Sequence, residues 1–434
     1  MLPKVLVSLL LLFLSRFMMA QSVLTLPDAI ALALQNNLDI KLAKNDLEQA
    51  KNQNFAGAAG MRPDISLNIN ETPSISNLRQ ELADGRTITR DNVLAHNLGS
   101  NVAMGYTLFN GFRMFATRER LRELERMGDF QVKSSIQNTV SQVIAGYANI
   151  LRQQSLLNVL QSLVKVSRER LTLVDARKLS GFANNADLYL VQLEVDQRRQ
   201  AADAQKVLIQ NAKTELNRLM NRAENIPFEV SGDLGDVQEF DKSTLQASMA
   251  KNPSWMMADK QVSIAEQVKK EVKSVFYPLV RLNAQLNYNV NQTQAGFLLL
   301  NQNVGASTGF GLSLPLYTGQ VNRRHVEGAH IQLKRTQILQ DQVRLNLNNA
   351  FEVAWQNYAA FKKFVEEDKL AVETARQLLA LVEQRYKAGE GTVLDFREVQ
   401  RTYEEINNRY ISNQFNLKLA ETDLLNFTGG LVGE

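Results

Sequence analysis

Two hydrophobic periods follow one another along this chain, and the succession occurs twice. Apolar residues recur at helical spacing from Pro27 to about Phe55 and again from about Leu245 to Val275, with Pro27 suited to a first helical turn. Pro63 and Pro278 are expected to end these helices, because proline cannot continue the hydrogen-bond ladder. Beyond each proline the period drops to two, through Ile65, Leu67 and Ile69 in one stretch and Val280, Leu282, Ala284, Leu286 and Tyr288 in the other. Partner strands are predicted from about Asn97 to Leu108 and from Ser307 to Leu316, where Phe310, Leu312, Leu314 and Leu316 alternate with Gly309, Gly311, Ser313 and Pro315. A polar loop with Arg79, Glu81, Asp84, Arg86, Arg90 and Asp91 joins the first pair; the second loop, near Ala295 to Leu300, is more apolar.

Each strand pair leads into a helical pattern of unusual length, from about Phe112 to Leu179 and from about Asn322 to Ala388. About 67 residues at 1.5 Å each reach on the order of 100 Å, so such a helix needs partners along its length. The returning segments supply them with spacings of three and four: Leu188, Val191, Val195, Arg198, Ala202, Gln205, Ile209, Ala212, Leu216 and Leu219, then Phe396, Val399, Tyr403, Ile406, Tyr410, Asn413 and Leu417. That spacing is a coiled-coil seam. The turns fall near Gly181 and Gly389, where glycine can take the left-handed backbone that stops a helix. Asn184 followed by Asp187, and Thr392 followed by Asp395, then stand at capping-box spacing.

The two halves are copies of one unit. A shift of 215 lays Asn37, Ala43, Leu47, Ala50, Pro63, Leu67 and Asn68 on Asn252, Ala258, Val262, Ala265, Pro278, Leu282 and Asn283. A shift of 208 lays Leu108, Phe109 and Gly111 on Leu316, Tyr317 and Gly319, and Arg177, Gly181, Asp187, Val191 and Gln192 on Arg385, Gly389, Asp395, Val399 and Gln400. A repeat signals architecture before function. The expected organisation is a signal peptide at 1–20, a first repeat at 21–222 and a second at 243–434, with 223–242 as an equatorial linker. Within the repeats, strand pairs are placed at about 64–108 and 279–317, and helical hairpins at about 112–222 and 320–427.

Composition narrows what such a chain can be. Lys4, the apolar run Val5 to Phe13 and a cut after Ala20 read as a secretory signal, so the mature chain is expected outside the cytoplasm. No later window approaches the apolar length of a transmembrane helix, which leaves strands of a closed barrel as the way to cross a membrane. The strand segments fit the length of about 9 to 11 residues that spans a bilayer, although a soluble sheet packed on one face would alternate equally well. With no cysteine in 434 residues, disulfides, thiol catalysis and cysteine-bound zinc are excluded. A net charge of +4 is no nucleic-acid footprint. His96, His325 and His330 make no metal-binding spacing, no phosphate loop or nucleophile elbow occurs, and no enzyme, cofactor or metal site is expected. Tyr106, Phe109, Phe276, Tyr277 and Tyr317 gather at the strand-to-helix passages, as an interfacial girdle or as packing at a barrel mouth.

The duplication, the passages Leu108 to Gly111 and Leu316 to Gly319, and the tips Arg177 to Gln192 and Arg385 to Gln400 together resemble the TolC-like outer-membrane efflux family. The resemblance implies a mainly α protein with transmembrane β, in which duplicated coiled-coil hairpins accompany four strands given to a trimeric twelve-stranded outer-membrane barrel. It further implies a passive exit duct for efflux or type I secretion, set in outer-membrane lipid, with helices extending into the periplasm. Its partners would be an inner-membrane pump and a periplasmic adaptor protein, the latter meeting tip residues Lys178, Leu179, Ser180, Gly181, Lys387, Ala388, Gly389 and Glu390. The inner end would be narrowed by acids matching Asp395 and Glu398. Asp395 is read mainly as a cap and partly as pore lining, because Asp187 holds the same place in the first copy with Leu190, not an acid, three residues later. The competing reading is a periplasmic coiled-coil adaptor or scaffold whose strands form a small soluble sheet.

Overall fold

The computed structural model describes residues 23–234 and 237–431; the expected signal peptide lies outside them. In chain order the first repeat runs β1 (Val23–Leu24), α1 (Leu26–Asn36), α2 (Leu38–Gln53), β2 (Asp64–Glu81), β3 (Thr87–Asn110), α3 (Arg113–Leu179) and α4 (Asn185–Leu219). After β4 (Glu229–Val230), the second runs α5 (Lys242–Ser248), α6 (Pro253–Lys273), β5 (Leu279–Thr293), β6 (Leu300–Ser313), α7 (Val321–Ala388) and α8 (Val393–Thr428). None of the described helices is long and apolar enough to cross a membrane. The chain forms two units, one of residues 46–129 and 257–341, the other of the remaining described residues.

The first unit is built on a four-stranded antiparallel sheet in the order β2-β3-β5-β6. Its strands differ from the sequence expectation in extent. β3 begins at Thr87 and not near Asn97, so Arg79, Glu81, Arg90 and Asp91 belong to paired strands, and only the turn around Asp84 and Arg86 remains of the polar loop. Polarity misled here because the outer part of this hairpin is mostly exposed and has no apolar period to show. β6 starts earlier, at Leu300, and stops at Ser313, since Pro315 has no N–H to give the ladder. Pro63 does not end α2, which stops at Gln53. The following Gly57 and Gly60 close a separate turn, with Gly60 at φ 73, and the Asn54 side chain engages Arg118 and Glu125.

The second unit packs the helical hairpins. Val143, Tyr147, Ile150, Leu216, Leu219 and Phe228 form one core cluster, and Phe351, Tyr358, Leu417 and Leu424 another. Tyr147 donates its hydroxyl to the carbonyls of Leu24 and Ser231 at 2.9 and 2.6 Å, and Tyr358 does the same to Gln238 at 2.7 Å, so in each copy one buried tyrosine holds backbone of the segment between the repeats. The seam of α4 buries Val191, Val195, Ala202, Gln205, Ile209, Leu216 and Leu219 as the spacing predicts. That of α8 is rotated: Phe396 and Leu417 are buried, but Gln400, Asn407, Ile411 and Gln414 replace Val399, Tyr403, Ile406, Tyr410 and Asn413 as the most buried line. The tyrosines keep their polar ends near the edge, where the Tyr410 hydroxyl accepts from Gln414 at 3.1 Å, and the amides turn inward.

The helices expected from Pro27 to Phe55 and from Leu245 to Val275 are each broken, and the breaks fall at the paired residues Asn37 and Asn252. The Asn37 side chain accepts from the N–H groups of Asp39 and Ile40 and donates to the carbonyl of Leu219 at 2.9 Å. Asn252 accepts from Ser254 and Trp255 and donates to Asn426 and Phe427. One amide thus restarts a helix and ties it to the end of the returning helix, in both copies.

Candidate functional site

The register of the sheet sorts its residues into two faces. On one lie rows such as Leu67, Val102, Leu286 and Ala306, then Ile65, Met104, Ala284 and Thr308. Its large side chains are uncovered: Leu67 is 63 % exposed, Val304 80 % and Phe310 76 %. On the other face stand Asn68, Asn101, Asn287 and Gly305 abreast, followed by Asn70, Gly99, Asn289 and Asn303. Asn68 donates to Asn101 at 2.9 Å across the strands. A soluble sheet buries its apolar face. This one leaves it open and has unpaired backbone along both edges, β2 and β6.

The passages from sheet to helix repeat one device. Gly111 and Phe112 have φ values of 67 and 66°, and Gly319 and Gln320 of 60 and 65°. A Cβ on Gly111 would come within 2.4 Å of the Ser274 carbonyl, so only glycine fits there. Phe109 and Tyr277 meet Phe112 edge to face with centroids 5.2 and 6.1 Å apart, which makes them packing residues, whereas Tyr317 is 83 % exposed and suits an interface.

At the far ends of the long helices both turns are closed in the same way. Phe182 N–H reaches the Arg177 carbonyl and Gly181 N–H that of Lys178, with Gly181 at φ 79°; Glu390 reaches Arg385 and Gly389 reaches Tyr386, with Gly389 at φ 89°. Leu179 and Ala388 are the last helical residues and Lys178 and Lys387 lie in the final turns, the latter paired with Glu383 at 2.6 Å. Ser180 bonds back to the Ala176 carbonyl, and Glu390 begins the second turn. The predicted capping boxes at Asn184 with Asp187 and Thr392 with Asp395 are both present.

These tips are held to one another by contacts that sequence reasoning missed. Arg177 donates to the Tyr386 carbonyl at 2.6 Å and covers its ring. Arg170, only 4 % exposed, pairs with Glu194, lies over the Phe396 ring and reaches Gln400. Arg198 bridges Glu194 at 3.4 Å and Glu404 at 3.0 Å. The cluster clasps the first hairpin to the second. Arg198 within the first seam was the available signal, but Arg170, on the outgoing helix, finds its partners 24 and 230 residues away in sequence, beyond any helical spacing.

Asp395 and Glu398 fall in the first turns of α8, both exposed. Asp395 receives the Thr392 N–H and hydroxyl at 3.2 and 2.7 Å, and these bonds hold its carboxyl below the usual range. Glu398 has a partner the sequence reading lacked: Arg401 at 2.8 Å, which also lowers its pKa and itself reaches Glu405. Both acids are therefore ionised at neutral pH.

The family model for outer membrane efflux proteins matches residues 29–222 and 244–430. The chain belongs to that family. Among its relatives, the outer membrane efflux protein BepC of Brucella suis is 23 % identical over 94 % of this chain and 86 % of its own. Protein CyaE of Bordetella pertussis is 21 % identical over 94 % of this chain and 84 % of its own. The fold matches the Campylobacter jejuni CmeC outer membrane channel with a TM-score of 0.80 at 14 % identity, covering 93 % of this chain and 85 % of that one. This efflux protein is thus an outer-membrane passive conduit and no enzyme, and the soluble-adaptor reading is set aside. The exposed apolar face has the chemistry of a lipid-facing surface and the asparagine face that of a wetted one.

Proposed function

We propose that three copies of this efflux protein close one twelve-stranded barrel and that their helical hairpins continue it as a tunnel through the periplasm. Four strands with two open edges cannot close alone, and the uncovered apolar face beside an asparagine face is the observation that carries the reading. Each copy of the duplicated unit, 21–222 and 243–434 about the linker 223–242, would give two strands and one hairpin. The hairpin tips, Lys178 to Gly181 and Lys387 to Glu390, would meet a periplasmic adaptor protein joined to an inner-membrane pump. Glu398, with Asp395 beside it, would ring the narrow inner end. Covalent cross-linking of outer membranes washed in high salt tests the assembly. Retention in the membrane and saturation at three chains are expected; a dominant dimer, or release without detergent, contradicts it.

A further inference from the structure

The β5–β6 turn carries the least expected surface on the protein. Phe297, Leu298 and Leu299 stand beyond the last paired row of the sheet and Leu300 within it, with exposures of 73, 58, 56 and 53 %. Four consecutive large apolar side chains at the outer end of a strand pair have no packing role within the chain. The corresponding turn of the first copy holds Asp84, Gly85 and Arg86.

The register shows which way this loop leans. β3 outruns β5: its pairing with β5 stops at Ala95 with Thr293, while its pairing with β2 continues to Thr87 with Glu81. Along β2 the asparagine face includes Asn68, Asn70 and Ser76. The bulge between Ser76 and Leu78 places its extra residue on β3, where Asn92 has φ 54°, so β2 keeps its alternation and Leu78 and Gln80 stay on the asparagine face. The loop reaches these same side chains. Phe297 N–H donates to Gln80 Oε1 at 3.2 Å, Gly296 lies against Gln80 and Leu78, and Gln294 N–H donates to the Leu94 carbonyl at 3.1 Å. To touch β2 the loop must cross β3, and Val93 on the asparagine face is correspondingly only 6 % exposed. The apolar loop therefore folds over the wet face and away from the lipid face.

We propose that the three copies of this loop converge over the outer mouth of the barrel and form a hydrophobic constriction there, latched by Gln80. This inference rests on the trimeric duct of the preceding section and adds a second control point to it. Each occupant of one loop's apolar surface is the same loop of a neighbouring copy. A ring of Phe297, Leu298 and Leu299 side chains around an axis would resist wetting, so ions would pass poorly until cargo spread the loops.

The absence of cysteine makes the test direct. Leu298→Cys is introduced into the full-length protein, and cells are treated with a mild oxidant. Disulfide-linked chain pairs are expected, and a bilayer-dissolved thiol reagent should leave Leu298→Cys unlabelled while labelling Phe310→Cys on the lipid face. Lipid-phase labelling at 298 without chain pairing would show a loop anchored in the outer leaflet and overturn the constriction. In planar bilayers a Phe297→Ser, Leu298→Ser, Leu299→Ser variant should raise single-channel conductance severalfold, and Gln80→Ala should raise it less; parental conductance in the triple variant would also overturn it. Lysine-reactive cross-linking of the same preparations separates the two readings. Trimers without a disulfide at 298 sink the constriction alone, whereas monomers under both reagents sink the duct and the constriction together.

Discussion

The two hairpin tips share their backbone and differ in their side chains. Gly181 and Gly389 close the same turn, and Asn184 and Thr392 open the next helix with the same box. Yet where the first tip carries Leu190 on its returning helix, the second carries Glu398 paired with Arg401; and where the first outgoing helix buries Arg170, the position 208 residues later is the half-exposed Leu378. Duplication kept what the chain path requires. The positions free of that requirement took separate tasks: the first hairpin supplies the clasp, the second the acids proposed for the tunnel.

Giving the first copy the residue of the second tests this division most severely. Arg170→Leu leaves the largely covered Glu194 beside a single remaining arginine, and removing the buried partner of such a pair costs about 3 kcal/mol. A matching drop in the urea midpoint of the detergent-solubilised protein is expected. No change would mean that the clasp contributes nothing to holding the hairpins.

A smaller effect should strike both copies alike. Asn37→Ala and Asn252→Ala each strip a helix start and take the side-chain donor from the Leu219 or Phe427 carbonyl, a loss of about 2 kcal/mol apiece. Equal shifts in the unfolding midpoint would show that the two joints bear the same load. Below these come Gly181→Ala and Gly389→Ala, which force an L-residue into the left-handed region at about 1 kcal/mol each. Neither site is crowded enough to add a clash, so unequal losses there would point to an effect outside the turn itself.

Much of this was legible in the sequence. The long helices α3 and α7 were visible because their termini carry strong punctuation: a Gly-Phe or Gly-Gln passage at one end and a glycine turn at the other. The apolar rows were visible through Ile65, Leu67 and Leu286, while the outer half of β3 was not, because its few covered positions, Val93 among them, do not alternate. Asn37 and Asn252 could be matched as a pair, but nothing in one dimension shows that each amide reaches the far end of a returning helix. The clasp around Arg170 and the rotated seam at Gln400 are likewise products of packing between hairpins, where the helical period chooses a face but not a partner.

The central claim is that the second tip, and not the first, lines the conducting path. Reversal potentials across planar bilayers under a salt gradient test it with Glu398→Lys beside Leu190→Lys. Glu398 has a depressed pKa, so its charge and its pairing with Arg401 are present above the ordinary carboxylate range and lost as pH falls through the lowered value. Parental cation preference should accordingly persist from neutral pH down through the ordinary carboxylate range and fade only below it. Glu398→Lys should abolish or invert that preference while Leu190→Lys leaves it intact. Equal shifts from the two substitutions, or none from Glu398→Lys, would contradict the account.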